Sequence, residues 1–258
     1  MIEGRLAGKT LIVTGAGSGM GAAMLARFVA EDGRVVAVSR TAEKLTRTVE
    51  HVCDTVDGAA ERVVAVAVDV TVDDAARHIV EEALAAFGRI DVLVNNAGIG
   101  DGFQMAGEVT DEIWRQTMAV NVDAPMRLCR QVIPHFVEQG EGVLVATSSI
   151  AGDRGGRSGA AYTASKHALT GLMRSIAATY ADQGIRANTI AAGWTATDLG
   201  PGAPISRGGY RQWKEVAALN RRIADADEVA QLALFLASDE SSMLNGAVIA
   251  ADAGWSVR

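Results

Sequence analysis

The sequence predicts an α/β fold: a single-domain, doubly wound, mostly parallel sheet with helices on both faces. Three observations carry this expectation. Short Val-, Ile- and Leu-rich runs alternate with helical patterns and lack hairpin turns until the last strand, so the connections must cross over. Hydrophobic residues make up 49% of the chain and aromatics only 5%, as suits strands covered by aliphatic side chains on both faces. At 258 residues, without repeat or linker, the chain (1–258) fits one domain of the parallel α/β type.

The first strand is Leu11-Ile12-Val13, and it breaks on T-G-A-G-S-G-M-G, residues 14–21. A helix follows, with Ala22, Leu25, Ala26 and Val29 on one face. A strand that breaks on glycines and resumes as a helix aims backbone N–H groups and a positive dipole end at one point, a site for a pyrophosphate. Glycines are needed because a Cβ would block the turn and the approach of the phosphates. Two fingerprint registers fit: Gly17, Gly19 and Ala22 as G-x-G-x-x-G/A, or Gly15, Gly19 and Gly21 as G-x-x-x-G-x-G.

Residues 34–38 and 63–68 are the second and third strands, separated by a polar helix over 42–52 and a break at Asp57-Gly58. A helix over 73–87 opens on acidic residues and stops at Gly88. The fourth strand, 91–94, ends in Asn95-Asn96-Ala97-Gly98. Over 125–137, Met126, Cys129, Val132, Ile133, Phe136 and Val137 form one apolar helical face. The fifth strand, 143–146, ends in Thr147-Ser148-Ser149, and a glycine-rich loop leads to an Ala-rich helix over 162–180. Residues 186–191 are the sixth strand. Asp225-Ala226-Asp227-Glu228 resembles a capping box for a helix reaching Ala237. Asn245-Gly246 is a turn before the last strand, 247–251. The irregular stretch 199–209, with two prolines and four glycines, falls in a candidate substrate loop of about 195–217.

Several function classes are disfavoured. A net charge of −7 without a basic block argues against nucleic acid as a partner. No apolar run approaches the roughly 18 residues of a spanning helix, and the N-terminus lacks the apolar segment of a secretory signal, so a cytoplasmic protein off the membrane is expected. Cys53 and Cys129 stand far apart, and the four histidines lack ligand spacing, so no metal is expected.

In an open parallel sheet, ligands bind beyond the carboxyl ends of the strands. Here those ends carry the glycine stretch, Ser39-Arg40-Thr41, Asp69-Val70, Asn95–Gly98, Ser148-Ser149 and Ala192-Gly193-Trp194-Thr195. Tyr162 and Lys166 lie four apart, hence on one helical face, where a cation favours phenolate. On its own such a pair also fits a solvated surface contact.

With residues 14–21, Asn95–Gly98, Asn121, Ser149, Tyr162 and Lys166 in order, and thirteen residues from Ser149 to Tyr162, the chain resembles the short-chain dehydrogenase/reductase family from end to end. The resemblance implies a Rossmann-like fold and an alcohol dehydrogenase or carbonyl reductase. It implies that Tyr162 is the general acid/base and that Ser149 steadies charge on the substrate oxygen. Lys166 would depress the phenol pKa and hold the nicotinamide ribose, and Asn121 would anchor a proton-relaying water chain. Ser149 as a turn cap and Asn121 in an Asx-turn are the structural alternatives. For the cofactor, the resemblance implies contacts from Gly15, Gly17, Ser18, Gly19, Met20 and Gly21. It adds Ser39, Arg40 and Thr41, Asp69 and Val70 at the adenine, and Asn95, Ala97 and Gly98 along the ribose. Gly193, Thr195 and Thr197 would lie near the carboxamide. The usual Pro-Gly after the sixth strand is Ala192-Gly193 here, which frees a backbone angle.

An NAD site places an acid after the second strand, whereas this chain has Arg40 there, so NADP(H) is expected over NAD(H). Ser18 stands where NADP-dependent relatives often carry a base. Trp194, Tyr210 and Trp213 flank the loop and suggest an apolar, cyclic ketone or secondary alcohol, whereas Arg154 and Arg157 offer an acidic group a partner. The family resemblance also implies a homotetramer built on the helices of 126–137 and 164–177. An epimerase or dehydratase, or a nucleotide-binding regulator without turnover, are the alternative readings.

Overall fold

A computed structural model of the chain describes residues 4–257; residues 1–3, which open the stretch read above for a secretory signal, and residue 258 lie outside the described part. The strands are β1 (Thr10–Thr14), β2 (Arg34–Ser39), β3 (Val63–Ala67), β4 (Val92–Asn95), β5 (Gly142–Ser149) and β6 (Ile185–Ala192). After two short strands, β7 (Thr195–Ala196) and β8 (Ala224–Asp225), comes β9 (Val248–Ala251). Seven of them form one parallel sheet in the order β3-β2-β1-β4-β5-β6-β9, and β7 pairs with β8 alone. Strand order reverses between β1 and β4, where Ile12 lies in register with Leu93. A crevice opens at such a reversal because the crossovers leave in opposite directions.

Alternation along each strand sends successive side chains to opposite faces. Leu11, Val13, Val35, Ala37 and Val92 face a core closed by α1 (Gly19–Ala30), α2 (Ala42–Thr55) and α8 (Ala226–Ala237). Ile12, Val36, Val38, Leu93 and Leu144 face the other core, closed by α3 (Ala75–Phe87), α5 (Ala124–Gln139) and α6 (Ala160–Tyr180). Local signals behave as the sequence predicts. Gly88 ends α3 with φ +74°, and Asp225 and Glu228 form a reciprocal capping box on α8. No helix among the described residues is long and apolar enough to cross a membrane.

Three features depart from the sequence reading. A helix that it did not anticipate, α4 (Asp111–Met118), is capped by Thr110, whose hydroxyl accepts from the Ile113 amide at 3.2 Å. A π-helical turn over Ala119–Asp123 joins it to α5. Residues 207–217, read as loop, form α7 (Arg207–Ala217) despite Gly208 and Gly209. Ser206 caps it, accepting from the Gly209 amide at 3.1 Å, and a Cβ on Gly209 would stand 1.9 Å from the Phe103 carbonyl oxygen. Close approach, not propensity, selects that glycine. On α5, Leu128, Cys129, Val132 and Phe136 turn inward, whereas Val137 is 42% exposed.

Candidate active site

At the switch between β1 and β4, backbone chemistry ties the two strand ends together. The Thr14 hydroxyl accepts from the amides of Asn96 and Ala97, both at 3.0 Å, and the Asn96 amide group donates to the Thr14 carbonyl at 2.9 Å. Gly15 and Gly19 take left-handed φ of +71° and +54°, and a Cβ on Gly21 would stand 2.2 Å from the Gly15 carbonyl oxygen. The α1 terminus carries no acid in its first turn and Ser18 makes no side-chain cap, so the dipole end is left for an anion.

A cleft of about 370 Å³ opens here, within the range of ligand sites. Of the predicted residues, Gly15, Ser18, Gly19, Met20, Ser39, Arg40, Thr41, Asp69, Val70, Ala97, Gly98, Tyr162, Lys166 and Thr197 line it. Gly17 and Gly21 sit behind the wall: a Cβ on Gly17 would meet the Ser39 hydroxyl at 2.7 Å. Asn95 is buried in the core with its amide against the Cys129 sulfur at 3.5 Å, because the last residue of β4 alternates inward. Gly193 is a close-packing position, where a Cβ would stand 2.7 Å from the Asp252 Cα, and Thr195 bonds the Gly193 carbonyl at 3.4 Å. Ala192 is strand-paired with both Ser149 and Ala251, so the missing proline is replaced by sheet register.

Sequence reasoning named neither Lys44 nor Thr147 as a site residue, yet both line the cleft, as do Asp198 and Leu199 of the predicted substrate loop. Lys44 lies close to Arg40 in sequence and adds a second cation near it; its ammonium lies 3.8 Å from Asp198, and Arg40 lies 3.9 Å from Asp69. No motif marks Lys44, but its place in the first turn of α2, just after Arg40, was a usable signal. Asp69 is held by Thr71, whose amide and hydroxyl donate to it at 2.9 and 2.7 Å. Against a desolvation that works the other way, these bonds and Arg40 hold its carboxyl below the usual range.

Four side chains converge at the inner end. Asn121, wholly buried in the π-helical turn, accepts from the Ile99 amide at 2.9 Å and donates to the Ile99 carbonyl and to the Ser165 hydroxyl, both at 3.0 Å. Such turns free backbone groups that a regular helix would consume. Lys166, 3% exposed, donates to the Thr147 carbonyl at 2.9 Å, and its nitrogen lies 5.5 Å from the Tyr162 ring centre. Gly98 leaves the space between them open: a Cβ there would stand 3.4 Å from both the Asn121 Oδ1 and the Lys166 Nζ. The Ser149 hydroxyl accepts from the Ala151 amide at 3.1 Å and lies near the Tyr162 phenol, whose ionised form it favours.

The electrostatics differ from the expectation that Lys166 lowers the Tyr162 pKa. Desolvation pushes the phenol up to about 12, outweighing the Ser149 hydroxyl, with Asp101's charge adding to the rise. Burial brings the Lys166 ammonium down to about 8. The ammonium is hydrogen-bonded to Thr147 and does not offset the desolvation, so the phenol is protonated at neutral pH.

The predicted substrate aromatics come together away from the cleft lining. Tyr210 stacks on Trp213 with centroids 5.5 Å apart, and Trp194 meets Trp213 edge-on at 5.1 Å. Phe103, unforeseen, lies 5.0 Å from Trp213 and 5.5 Å from Tyr210. Arg157 stacks over Trp255 at 5.0 Å, and Arg154 pairs with Asp153 at 3.2 Å. Among the described residues no group of His, Cys, Asp and Glu could hold a metal ion.

A family model described as enoyl-(acyl carrier protein) reductase matches residues 15–256. A chain of Talaromyces verruculosus named short-chain dehydrogenase/reductase cdmF is 36% identical over 98% of this chain and 99% of its own. The chain belongs to the short-chain dehydrogenase/reductase family. Within the family, 3beta-hydroxysteroid dehydrogenase 2 of Eggerthella lenta is 37% identical, covering 97% of this chain and 96% of that one. Among solved structures, a chain from Beutenbergia cavernae, assigned provisionally as an NAD(P)-dependent gluconate 5-dehydrogenase with NADP at low occupancy, superposes with a TM-score of 0.86. It is 36% identical over 98% of both chains.

Proposed function

We propose that this chain interconverts a ketone and a secondary alcohol by hydride transfer with a nicotinamide cofactor, NADP(H) in preference to NAD(H), and that Tyr162 is its general acid/base. The observation that carries the reading is the meeting of a protonated phenol and a fixed ammonium in the cleft lining, with the Ser149 hydroxyl beside the phenol. The cleft suits a dinucleotide: Gly15, Ser18, Gly19 and Met20 line it, and the α1 terminus is uncapped by any side chain. When bound, the nicotinamide supplies the hydride.

The residues present divide the remaining work. Ser18, Gly19 and Met20 would bind the pyrophosphate through the α1 terminus. Ser39, Arg40, Thr41 and Lys44 would take a 2′-phosphate, Arg40 through its fork. Solved relatives hold NADP, NADH or NAD, so the preference rests on Arg40 and Lys44. Asp69 and Val70 would hold the adenine, and Thr195 and Thr197 the carboxamide. In reduction the Tyr162 phenol gives its proton to the carbonyl oxygen while hydride adds to the carbon, and Ser149 stabilises the charge developing on that oxygen. After each reduction the phenolate would be reprotonated from solvent: Asn121 would anchor a water chain, across the gap kept by Gly98, that carries a proton to Lys166 and on to the phenol. The steroid dehydrogenase among its relatives supports an apolar, cyclic substrate, which would reach the Trp194–Tyr210–Trp213 cluster only where it extends beyond the cleft lining.

Turnover of NADPH and NADH with a panel of cyclic and acidic ketones tests the reading. Tyr162→Phe is expected to lose roughly 100-fold or more in kcat while binding NADPH normally. Unchanged activity in that variant removes the catalytic assignment, and a clear preference for NADH removes the phosphate assignment. We also infer a cytoplasmic homotetramer packed through α5 and α6. Val137, 42% exposed on α5, offers that packing an apolar contact. Light scattering that returns a monomer would overturn it.

A further inference from the structure

Asp101 belongs to none of the motifs above, yet it is one of the most enclosed acids in the protein, 1% exposed. Among the described residues it forms no ion pair; its partners are main-chain amides. Its Oδ2 accepts from the Tyr162 amide at 2.9 Å and its Oδ1 from the Phe103 amide at 3.1 Å. Gly159, the residue before α6, has no side chain to cap that helix, and a Cβ there would stand 2.3 Å from both carboxylate oxygens. A carboxylate from another element therefore occupies the place of a helix cap, where the dipole favours negative charge. Burying an acid without a cation is costly, and that cost is sustained only where the amide bonds recover it.

The segment around Asp101 also faces the other way. Gly102 donates to the Pro201 carbonyl at 2.7 Å and accepts from the Ser206 amide at 2.8 Å; the Gln104 side chain donates to the Pro204 carbonyl at 2.6 Å. The Gln104 carbonyl accepts from the Ala160 amide at 2.8 Å. Gly102 and Phe103 are both left-handed, with φ of +66° and +58°, a conformation that a bulky residue adopts only when held there.

We propose that Asp101 is a positioning residue for Tyr162: it fixes the first turn of α6 from outside the helix and holds that turn in register with the substrate loop. The inference rests on Tyr162 being the acid/base of the preceding section. Tyr162 is faced by Lys166 from its own helix, Ser149 from β5 and Asp101 from the loop after β4. Of these, Asp101 alone brings negative charge, which adds to the larger effect of burial in holding the phenol pKa up.

Asp101→Asn keeps the size and removes the charge, and Gly159→Ala displaces the carboxylate without removing it. Hydrogen–deuterium exchange, NADPH binding by fluorescence, and the pH profile of turnover with 2-decalone as probe ketone are measured for both and for the parent. Exchange over 160–166 and 201–206 is expected to speed up about 10-fold or more with NADPH affinity retained. In D101N, kcat should fall on the order of 100-fold with KM little changed, as for a misplaced reacting group. Its alkaline limb should move down by roughly 0.5 of a pH unit. Unchanged exchange in both segments overturns the proposal whatever the activity, as does a parental kcat and pH profile in D101N. Faster exchange in a protein whose parent reduces no ketone supports the clamp and instead refutes the functional reading it was built on.

Discussion

Lys166 gives the most quantitative expectation. Its ammonium is 3% exposed, and burial lowers its pKa from 10.5 to about 8. Below pH 8 both folded and unfolded chains carry the proton, and the cost of the buried charge is fully present. Between 8 and 10.5 the folded amine is neutral while the unfolded one is still charged. The unfolded state then holds more protons, and stability attributable to this group rises with pH. A gap of about 2.5 pH units corresponds to roughly 3 kcal/mol. The perturbation is Lys166→Met, which removes the titration and keeps the aliphatic stem. Urea unfolding of both proteins at several pH values between 7 and 10.5 measures the difference in stability. Tyr162 and Cys129, whose pKa values burial raises to about 12, lose stability over the alkaline range, but they do so in both proteins and cancel. The parent is expected to gain on the variant by up to about 3 kcal/mol across that window. A difference that stays constant with pH would refute the claim that the ammonium is buried at a cost.

Three further outcomes are expected. Arg40→Ala should raise KM for NADPH by roughly 10-fold or more with little change for NADH, and Lys44→Ala should do so by a smaller factor because of its exposed pairing with Asp198; steady-state kinetics with both cofactors checks this. Thr14→Val strands the amides of Asn96 and Ala97 and should cost about 2 kcal/mol, seen as a lowered Tm. Gly21→Ala drives a methyl into the Gly15 carbonyl and should weaken NADPH binding by an order of magnitude or so, read by fluorescence titration.

Much of this architecture is written in short-range pattern. The seven main strands, the glycine turn, the Gly88 stop and the Asp225 box all follow from periodicity and local chemistry, and the structure carries them. What the sequence hides is long-range. The α7 helix runs through two glycines because the Phe103 backbone crowds Gly209, which no local propensity records. Asp101 reads as an ordinary loop acid until α6 arrives from sixty-one residues away. The Tyr162–Lys166 spacing correctly places both groups on one face, but spacing is silent on burial and on Thr147, and those two set the protonation of the pair.

The seam between the 100–104 segment and the 201–206 loop has a consequence for how this scaffold can change. Two of its three bonds run from main chain to main chain, and Gly202, where a Cβ would stand 2.0 Å from the Gly100 carbonyl oxygen, is the position whose identity the path requires. Leu199 and Ile205, 51% and 53% exposed, can therefore vary without releasing the frame. Specificity and position are separable here, and a library confined to those residues would sample new substrates on an unchanged catalytic geometry.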